Sequence, residues 1–178
     1  MKCESRMRLF SKGGFTLIEL LVVIAIIGIL ISVLTPAIRG ALERAKVARV
    51  QADAKSIDSA IRAYFNEYSK LPAVDNDQGK ADKEYTDANS RQVLSMLTTN
   101  NPRKIIFLEI PNGATDGTFV DVWGTQFAVA LDTDYDGQLK VSAGTGMGTN
   151  VVFAPGAAYS AGPDKSFSSV ADNVYSFR

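Results

Sequence analysis

Histidine is absent from this 178-residue chain, and cysteine occurs only once, as Cys3. Without histidine, the chain cannot form a Ser-His-Asp or Cys-His catalytic group, and it lacks a usual ligand of zinc sites. With one cysteine it cannot form an internal disulfide. A hydrolase would have to use a carboxylate pair or a Ser-Lys arrangement, and the sequence indicates neither. We therefore expect a protein that is not an enzyme and has no catalytic residues.

An excess of positive charge is also lacking. The chain has 19 basic and 19 acidic residues, so its formal net charge is zero. Residues 1–14 contain four of the basic residues and one of the acidic ones, which leaves 15 basic and 18 acidic residues and a charge of −3 for the rest. Nucleic-acid binding needs a basic surface, so we expect no nucleic-acid partner.

The chain does contain one long apolar segment. From Phe15 to Leu34, 20 residues include a single charged side chain, Glu19. At helical rise, twenty residues span about 30 Å, the thickness of the hydrocarbon core of a bilayer. A carboxylate in such a segment costs about 2.5–3.5 kcal/mol, which makes Glu19 a candidate functional residue. The basic residues before the segment favour a cytoplasmic N-terminus, with the C-terminal body on the far side of the membrane.

Residues 12–22 read KGGFTLIELLV. This stretch resembles the cleavage and methylation region of type IV prepilins and type II secretion prepseudopilins, and the resemblance covers about the first 40 residues. It implies that a prepilin peptidase cuts after Gly14 and N-methylates Phe15, and that Glu19 acts in filament assembly. Pro36 lies where the family has a helix-kinking proline. An ordinary signal peptide and a plain signal-anchor are the alternatives, and neither accounts for Glu19 and the Gly14-Phe15 pair.

A helical pattern continues beyond the apolar segment to about Ser69. Gly28 and Pro36 are expected points of bending or local melting within it. Small residues recur at spacings of three and four, a pattern that suits either core packing or a contact between subunits of a filament. These residues are Ala37, Ala41, Ala45, Ala48 and Ala52.

The second half of the chain predicts a small antiparallel sheet. Residues 73–90 read as a surface loop, Ser90 to Leu97 as a short helix capped by Asn89 or Ser90, and 105–110 as a short apolar segment that packs under the sheet. The strand candidates are 118–122, 126–131, 138–141, 150–153, 157–160 and 174–177, with 132–137 as a hairpin loop between the second and third. A long helix followed by such a sheet indicates an α+β fold.

The predicted organisation has three parts. Residues 1–14 form a basic cytoplasmic leader that is removed, and 15–36 form a transmembrane and filament-core helix. Residues 37–178 form a pilin-like body, divided into a helix continuation (37–69), a loop with a short helix (70–110) and the sheet (118–178). Two short stretches further resemble major pseudopilins: Asp-Val-Trp-Gly at 121–124 and Tyr-Ser-Ala-Gly-Pro-Asp at 159–164.

Two acidic loops are candidate Ca²⁺ sites. Asp132, Asp134 and Asp136, with a following glycine, match the first half of an EF-hand loop, although no glutamate completes the pattern. The alternative is a solvated turn, because Asp and Gly are common turn residues. In major pseudopilins, the loop after the Tyr-Ser-x-Gly-x-Asp turn holds calcium. That resemblance carries over to Asp164 and, less completely, to Asp172.

The resemblance as a whole implies a structural subunit of a type II secretion pseudopilus or a type IV pilus-like filament. Such a subunit would lie in the inner membrane as a single-pass protein with a periplasmic body, and would assemble into a helical homo-oligomer outside the cytoplasm to serve protein secretion. Its partners would be prepilin peptidase, an inner-membrane assembly platform with its ATPase, and minor pseudopilins. The alternative is a single-pass anchored module that binds calcium or an adhesion target and builds no filament.

Overall fold

The computed structural model describes residues 14–74, 77–142, 149–169 and 171–177. The chain divides into two compact units, of which one ends at Glu43 and the other begins at Arg44. Apart from Gly14, the predicted leader lies outside the described residues.

The first element, α1, is a 52-residue helix from Leu17 to Tyr68. It confirms the predicted long helix, and it is the one helix among the described residues that is long and apolar enough to cross a membrane, judged by length and composition. Gly28 and Pro36 both lie inside α1, which is continuous through them, so local melting is contradicted and bending at these residues stays a prediction. Every residue from Gly14 to Arg49 is exposed.

The C-terminal part of α1 provides one side of the hydrophobic core. Val50, Ala54, Ile57, Ile61 and Tyr64 are buried and recur at spacings of four and three, which places them on one helix face. The alanines at 37, 41, 45, 48 and 52 are all exposed. The interpretation of those alanines as core residues of this chain is therefore wrong, and a contact between subunits remains a prediction.

The remaining elements form one helix and two small sheets. They are β1 (Lys83–Tyr85), α2 (Asp87–Thr98), a 3₁₀ turn (Pro111–Gly113), β2 (Ala128–Leu131), β3 (Leu139–Ser142), β4 (Thr149–Val152), β5 (Gly156–Ser160) and β6 (Val174–Tyr175). A four-stranded antiparallel sheet has the order β1-β2-β5-β6, and β3 pairs with β4 in a separate two-stranded sheet. The α+β prediction is confirmed.

Strand β2 shows why the central sheet is apolar on both faces. All four of its residues are buried. Alternate side chains of a strand point to opposite faces. Val129 and Leu131 accordingly join the core formed with α1 and α2, whereas Ala128 and Ala130 join a second cluster with Leu139 of β3.

Several local predictions were wrong. Residues 73–90 are not a plain loop, because they contain β1, and α2 begins at Asp87 after Thr86 rather than after Asn89 or Ser90. Residues 118–122 form no strand but make a single bridge, Val120 to Gln126. Residues 132–137 do not close a hairpin, because both edges of β2 are taken by β1 and β5, so this turn leads from one sheet to the other.

Candidate functional site

The N-terminus of α1 is closed by a reciprocal pair of hydrogen bonds between Thr16 and Glu19. The backbone N–H and the hydroxyl of Thr16 donate to Glu19 Oε2 at 2.8 and 2.7 Å, and the Glu19 N–H donates to Thr16 Oγ1 at 3.4 Å. This is a capping box, in which a Thr at the cap and a Glu three residues later satisfy each other's donors. A carboxylate there also faces the positive end of the helix dipole. The sequence prediction missed the role of Thr16, although the Thr-x-x-Glu spacing was a signal for it.

The predicted cleavage position lies just before this cap. Gly14 and Phe15 precede the first helical residue, and the Phe15 side chain is 90% exposed. Among the described residues, which begin at Gly14, a Cβ added there would meet no atom within 4 Å. The packing of the described part of the chain therefore leaves the Gly14–Phe15 peptide sterically open and does not require a glycine there.

Pro36, the other predicted assembly residue, lies at an exposed position inside α1. A proline in a helix interior lacks the N–H that would bond to the carbonyl four residues earlier. Two hydroxyls just before it bond back to the helix: Ser32 Oγ donates to Ile29 O at 2.7 Å, and Thr35 Oγ1 donates to Ile31 O at 2.8 Å. Such bonds often bend helices.

The structure brings together only part of the EF-hand-like loop. Asp132 and Asp134 each place a carboxylate oxygen within 4.8 Å of the other and of one on Asp82. Asp136 is not part of this group: its Oδ1 accepts from Gln138 N at 2.7 Å and its Oδ2 lies 3.4 Å from Lys140 Nζ. Sequence reasoning missed Asp82, which is 50 positions from Asp132 in the chain.

Burial and like charge act together in this acidic cluster of Asp82, Asp132 and Asp134. The pKa of Asp132 is raised by burial and by the negative charges of Asp82 and Asp134, against a hydrogen bond from Gly137 that lowers it. The pKa of Asp82 is raised in the same way by burial and by the charges of Asp134 and Asp136. A bound cation would reverse both effects.

The C-terminal loop gives a different picture. Asp172 Oδ2 accepts from Asp164 N at 3.2 Å, and Asp172 Oδ1 accepts from Ser169 Oγ at 3.3 Å. Asp164 Oδ1 accepts from Ser166 N at 2.8 Å. Both carboxylates therefore bond to the loop's own donors, and among the described residues they belong to no group of three acidic side chains. Calcium binding at Asp164 and Asp172 remains a prediction.

Comparison with known proteins bears on the N-terminal segment most directly. Residues 9–35 match the family described as the prokaryotic N-terminal methylation motif. The type II secretion system core protein G of Klebsiella michiganensis is 38% identical over 69 residues, which are 39% of this chain and 49% of the relative. A fimbrial protein of Neisseria meningitidis serogroup A is 37% identical over 87 residues, 49% of this chain and 50% of the relative.

A longer match, at lower identity, is to the fimbrial protein EcpB of Eikenella corrodens, 29% identical over 117 residues, 66% of this chain and 70% of the relative. The chain spans about half the length of the first two relatives. No solved structure gives a significant match. The chain therefore shares the methylation motif, and similarity over part of its length, with proteins named as type II secretion core proteins and fimbrial proteins.

Proposed function

We propose that this chain is a structural subunit of a type II secretion pseudopilus or a type IV pilus-like filament, cleaved after Gly14 and N-methylated on Phe15. One observation carries the proposal. The methylation motif spans a segment in which an exposed Gly14–Phe15 peptide directly precedes a helix capped by Glu19, and Glu19 is the only charged residue of that helix before Arg39. A plain membrane anchor has no need of a carboxylate at this position.

The apolar part of α1 supports membrane insertion before assembly. Its side chains from Leu17 to Leu42 are exposed in the isolated chain, and an apolar surface of this extent is stable only in lipid or against other protein surfaces. In the proposed function both apply in turn, first the inner membrane and then the core of the filament. The body would lie in the periplasm, because the basic leader favours the cytoplasm.

Cleavage changes the electrostatics at the start of the helix. It converts the Phe15 amide into a terminal amine, which is positively charged at neutral pH, beside the Glu19 carboxylate. Glu19 uses one oxygen, Oε2, for both donors of Thr16, so within residues 14–74 the other oxygen is left to accept from an amine. Each charge is costly in an apolar environment, and pairing the amine of one subunit with Glu19 of a neighbour compensates both. Such a contact is head-to-tail and does not close, so it builds a fibre.

The proposed partners follow from this pathway. They are prepilin peptidase, which would cut and methylate the chain; an assembly platform and its ATPase, which would supply energy for extension; and minor pseudopilins. No nucleic acid takes part in the proposed function.

Intact mass and N-terminal fragmentation of the chain, made in cells with and without an active prepilin peptidase, test the proposal. We expect a chain that begins with N-methyl-Phe15 only where the peptidase is active. An unprocessed chain in the presence of the active enzyme would overturn the proposal and favour the anchored module. Complementation of a strain that lacks its major pseudopilin then separates the two filament types, since restored secretion indicates a pseudopilus and surface fibres alone indicate a pilus.

A further inference from the structure

The acidic cluster is formed by strand pairing rather than by the turn alone. Strands β1 and β2 pair antiparallel with Lys83 opposite Leu131, and this register continued by one residue sets Asp82 opposite Asp132. The Thr133 hydroxyl donates to Ala81 O at 2.8 Å and ties the two strand ends together. Asp134 follows in the turn and completes the group.

Two oxygens in this cluster have no hydrogen-bond partner among the described residues. Asp132 is only 5% exposed; its Oδ2 accepts from Gly137 N at 2.9 Å, but its Oδ1 is buried and unpartnered. Asp82 repeats the arrangement, with Oδ2 accepting from Lys140 N at 2.7 Å and a buried, unpartnered Oδ1. Buried carboxylate oxygens normally have a partner, because an unsatisfied one costs the full loss of hydration.

The basic side chain of Lys140 forms its ion pair outside the cluster. Lys140 Nζ lies 3.4 Å from Asp136 Oδ2, and Asp136 is the largest influence that raises the pKa of Lys140, ahead of Asp82 and Asp134. The local charge is strongly negative at neutral pH, and the unpartnered oxygens show where a positive ligand would bind.

We propose that Asp82, Asp132 and Asp134 bind a divalent cation, and that Ca²⁺ is the ion that fits. All the ligands are oxygens, which selects a hard cation. Asp134 is exposed, so water can complete the coordination, and Ca²⁺ accepts flexible oxygen coordination of this kind whereas Mg²⁺ demands a near-ideal octahedron. The ion would fasten β1 and β2 to the turn that leads into the second sheet, a cross-link useful to a body that has no cysteine.

Calorimetric titration of CaCl₂ and MgCl₂ into the full chain, stripped with chelator and held in detergent at fixed salt, tests this proposal. We expect saturable Ca²⁺ binding and a thermal midpoint that rises with calcium concentration. Mg²⁺ should bind more weakly. No binding of Ca²⁺ by the wild-type chain up to about 10 mM, above the range of weak extracellular calcium sites, would overturn the proposal. Binding of Mg²⁺ as tight as that of Ca²⁺ would overturn the choice of ion.

Three variants locate the ion. D82N keeps an acceptor for Lys140 N but removes one charge, and it should weaken Ca²⁺ binding about tenfold or more, because ligand charge sets calcium affinity. D136N is the matched control in the same turn and should stay within about threefold of wild type, since Asp136 lies outside the cluster. D172N probes the C-terminal loop. Calcium binding that survives D82N and disappears in D172N would overturn the proposal. Processing at Gly14 is measured separately, so this result and that of the proposed function are independent.

Discussion

The hydroxyl of Ser160 donates a 2.5 Å hydrogen bond to Asp121 Oδ2, and both residues are buried. The other oxygen, Asp121 Oδ1, accepts from the N–H groups of Trp123 and Thr125, each at 2.9 Å. Ser160 Oγ in turn accepts from Gly162 N at 3.0 Å. The two stretches that resemble major pseudopilins, 121–124 and 159–164, are thus joined in the fold. The Asp121 carboxylate organises its own turn and fixes the end of β5.

This network should make Asp121 one of the most sensitive polar positions in the body. We expect D121A to lower the free energy of unfolding by about 3 kcal/mol, since it leaves buried donors without an acceptor. S160A should cost about 1–2 kcal/mol. Denaturant unfolding of the full chain in detergent, followed by Trp123 fluorescence, measures both.

The control for the Asp121 series is E109A, a substitution at an exposed residue. It should change the free energy of unfolding by no more than about 0.5 kcal/mol. The double variant D121A/S160A should destabilise less than the sum of the single variants, because the side chains share a bond. Strictly additive losses would contradict the coupling of the two stretches.

The parts of the fold predicted from sequence are those with a local signal. The periodicity of α1 and the apolar runs of β2 and β5 identify these elements directly. The sequence Lys83-Glu84-Tyr85 has no such signal; it becomes a strand because β2 offers a free edge. Turn residues at 132–137 indicate that the chain bends, but they do not say which strand pairs with which, so the predicted hairpin was wrong.

The same limit applies to the acidic cluster. Asp132 and Asp134 could be proposed from their spacing, whereas Asp82 enters through a pairing register that no local pattern contains. Asp136 fits the spacing but bonds to Lys140 instead. The N-terminal segment is the opposite case, since Gly14, Thr16 and Glu19 lie within one short stretch of the chain and their relation can be read without the fold.

Replacement of Gly14 tests the cleavage position. We expect G14I to accumulate as the unprocessed chain, because a bulky side chain would fill the space that the peptidase needs beside the cut. A Cβ at Gly14 meets no atom of the described residues within 4 Å, so the variant should fold as wild type and any loss of processing reports on the enzyme. Immunoblotting for precursor and mature lengths, with circular dichroism as the folding control, gives the result. A normally processed G14I chain would refute the assignment.

Glu19 can be tested for charge and for capping separately. E19Q keeps an oxygen that accepts from Thr16 but loses the negative charge, whereas T16V removes the hydroxyl from the cap and leaves the charge in place. We expect E19A and E19Q to be cleaved normally and to form few or no filaments, because the terminal amine of Phe15 then has no opposite charge. T16V should cost about 1 kcal/mol of helix stability and still assemble.

Filament yield by electron microscopy, together with the cleaved fraction, distinguishes a charge-pairing role of Glu19 from a helix-capping role. Normal filaments from E19Q would contradict charge pairing. Equal defects in E19Q and T16V would instead assign the role of Glu19 to the helix cap.

The acidic cluster should make stability depend on pH in chelator. Burial and neighbouring carboxylates raise the folded pKa of Asp82 and Asp132 above the ordinary value of 3.8. Between 3.8 and the raised values, the folded chain holds more protons than the unfolded chain, so the free energy of unfolding falls as pH rises through this window. D132N removes one of these groups, and its stability relative to wild type should therefore improve from pH 4 towards pH 7.

At neutral pH, calcium should make wild type more stable than D132N, since the ion binds the ionised carboxylates and stabilises only the wild-type cluster. Matched thermal melts of wild type and D132N at several pH values, each with chelator and with CaCl₂, measure both effects. The negative charges of Asp82 and Asp134 act on Asp132. Asp134 and Asp136 raise the pKa of Asp82, whereas Lys140 lowers it, so D136N is run in parallel to account for the neighbouring charges. A difference between wild type and D132N that is independent of pH in chelator would show that Asp132 ionises at no cost to the fold, and the electrostatic argument for a cation would then lose its basis.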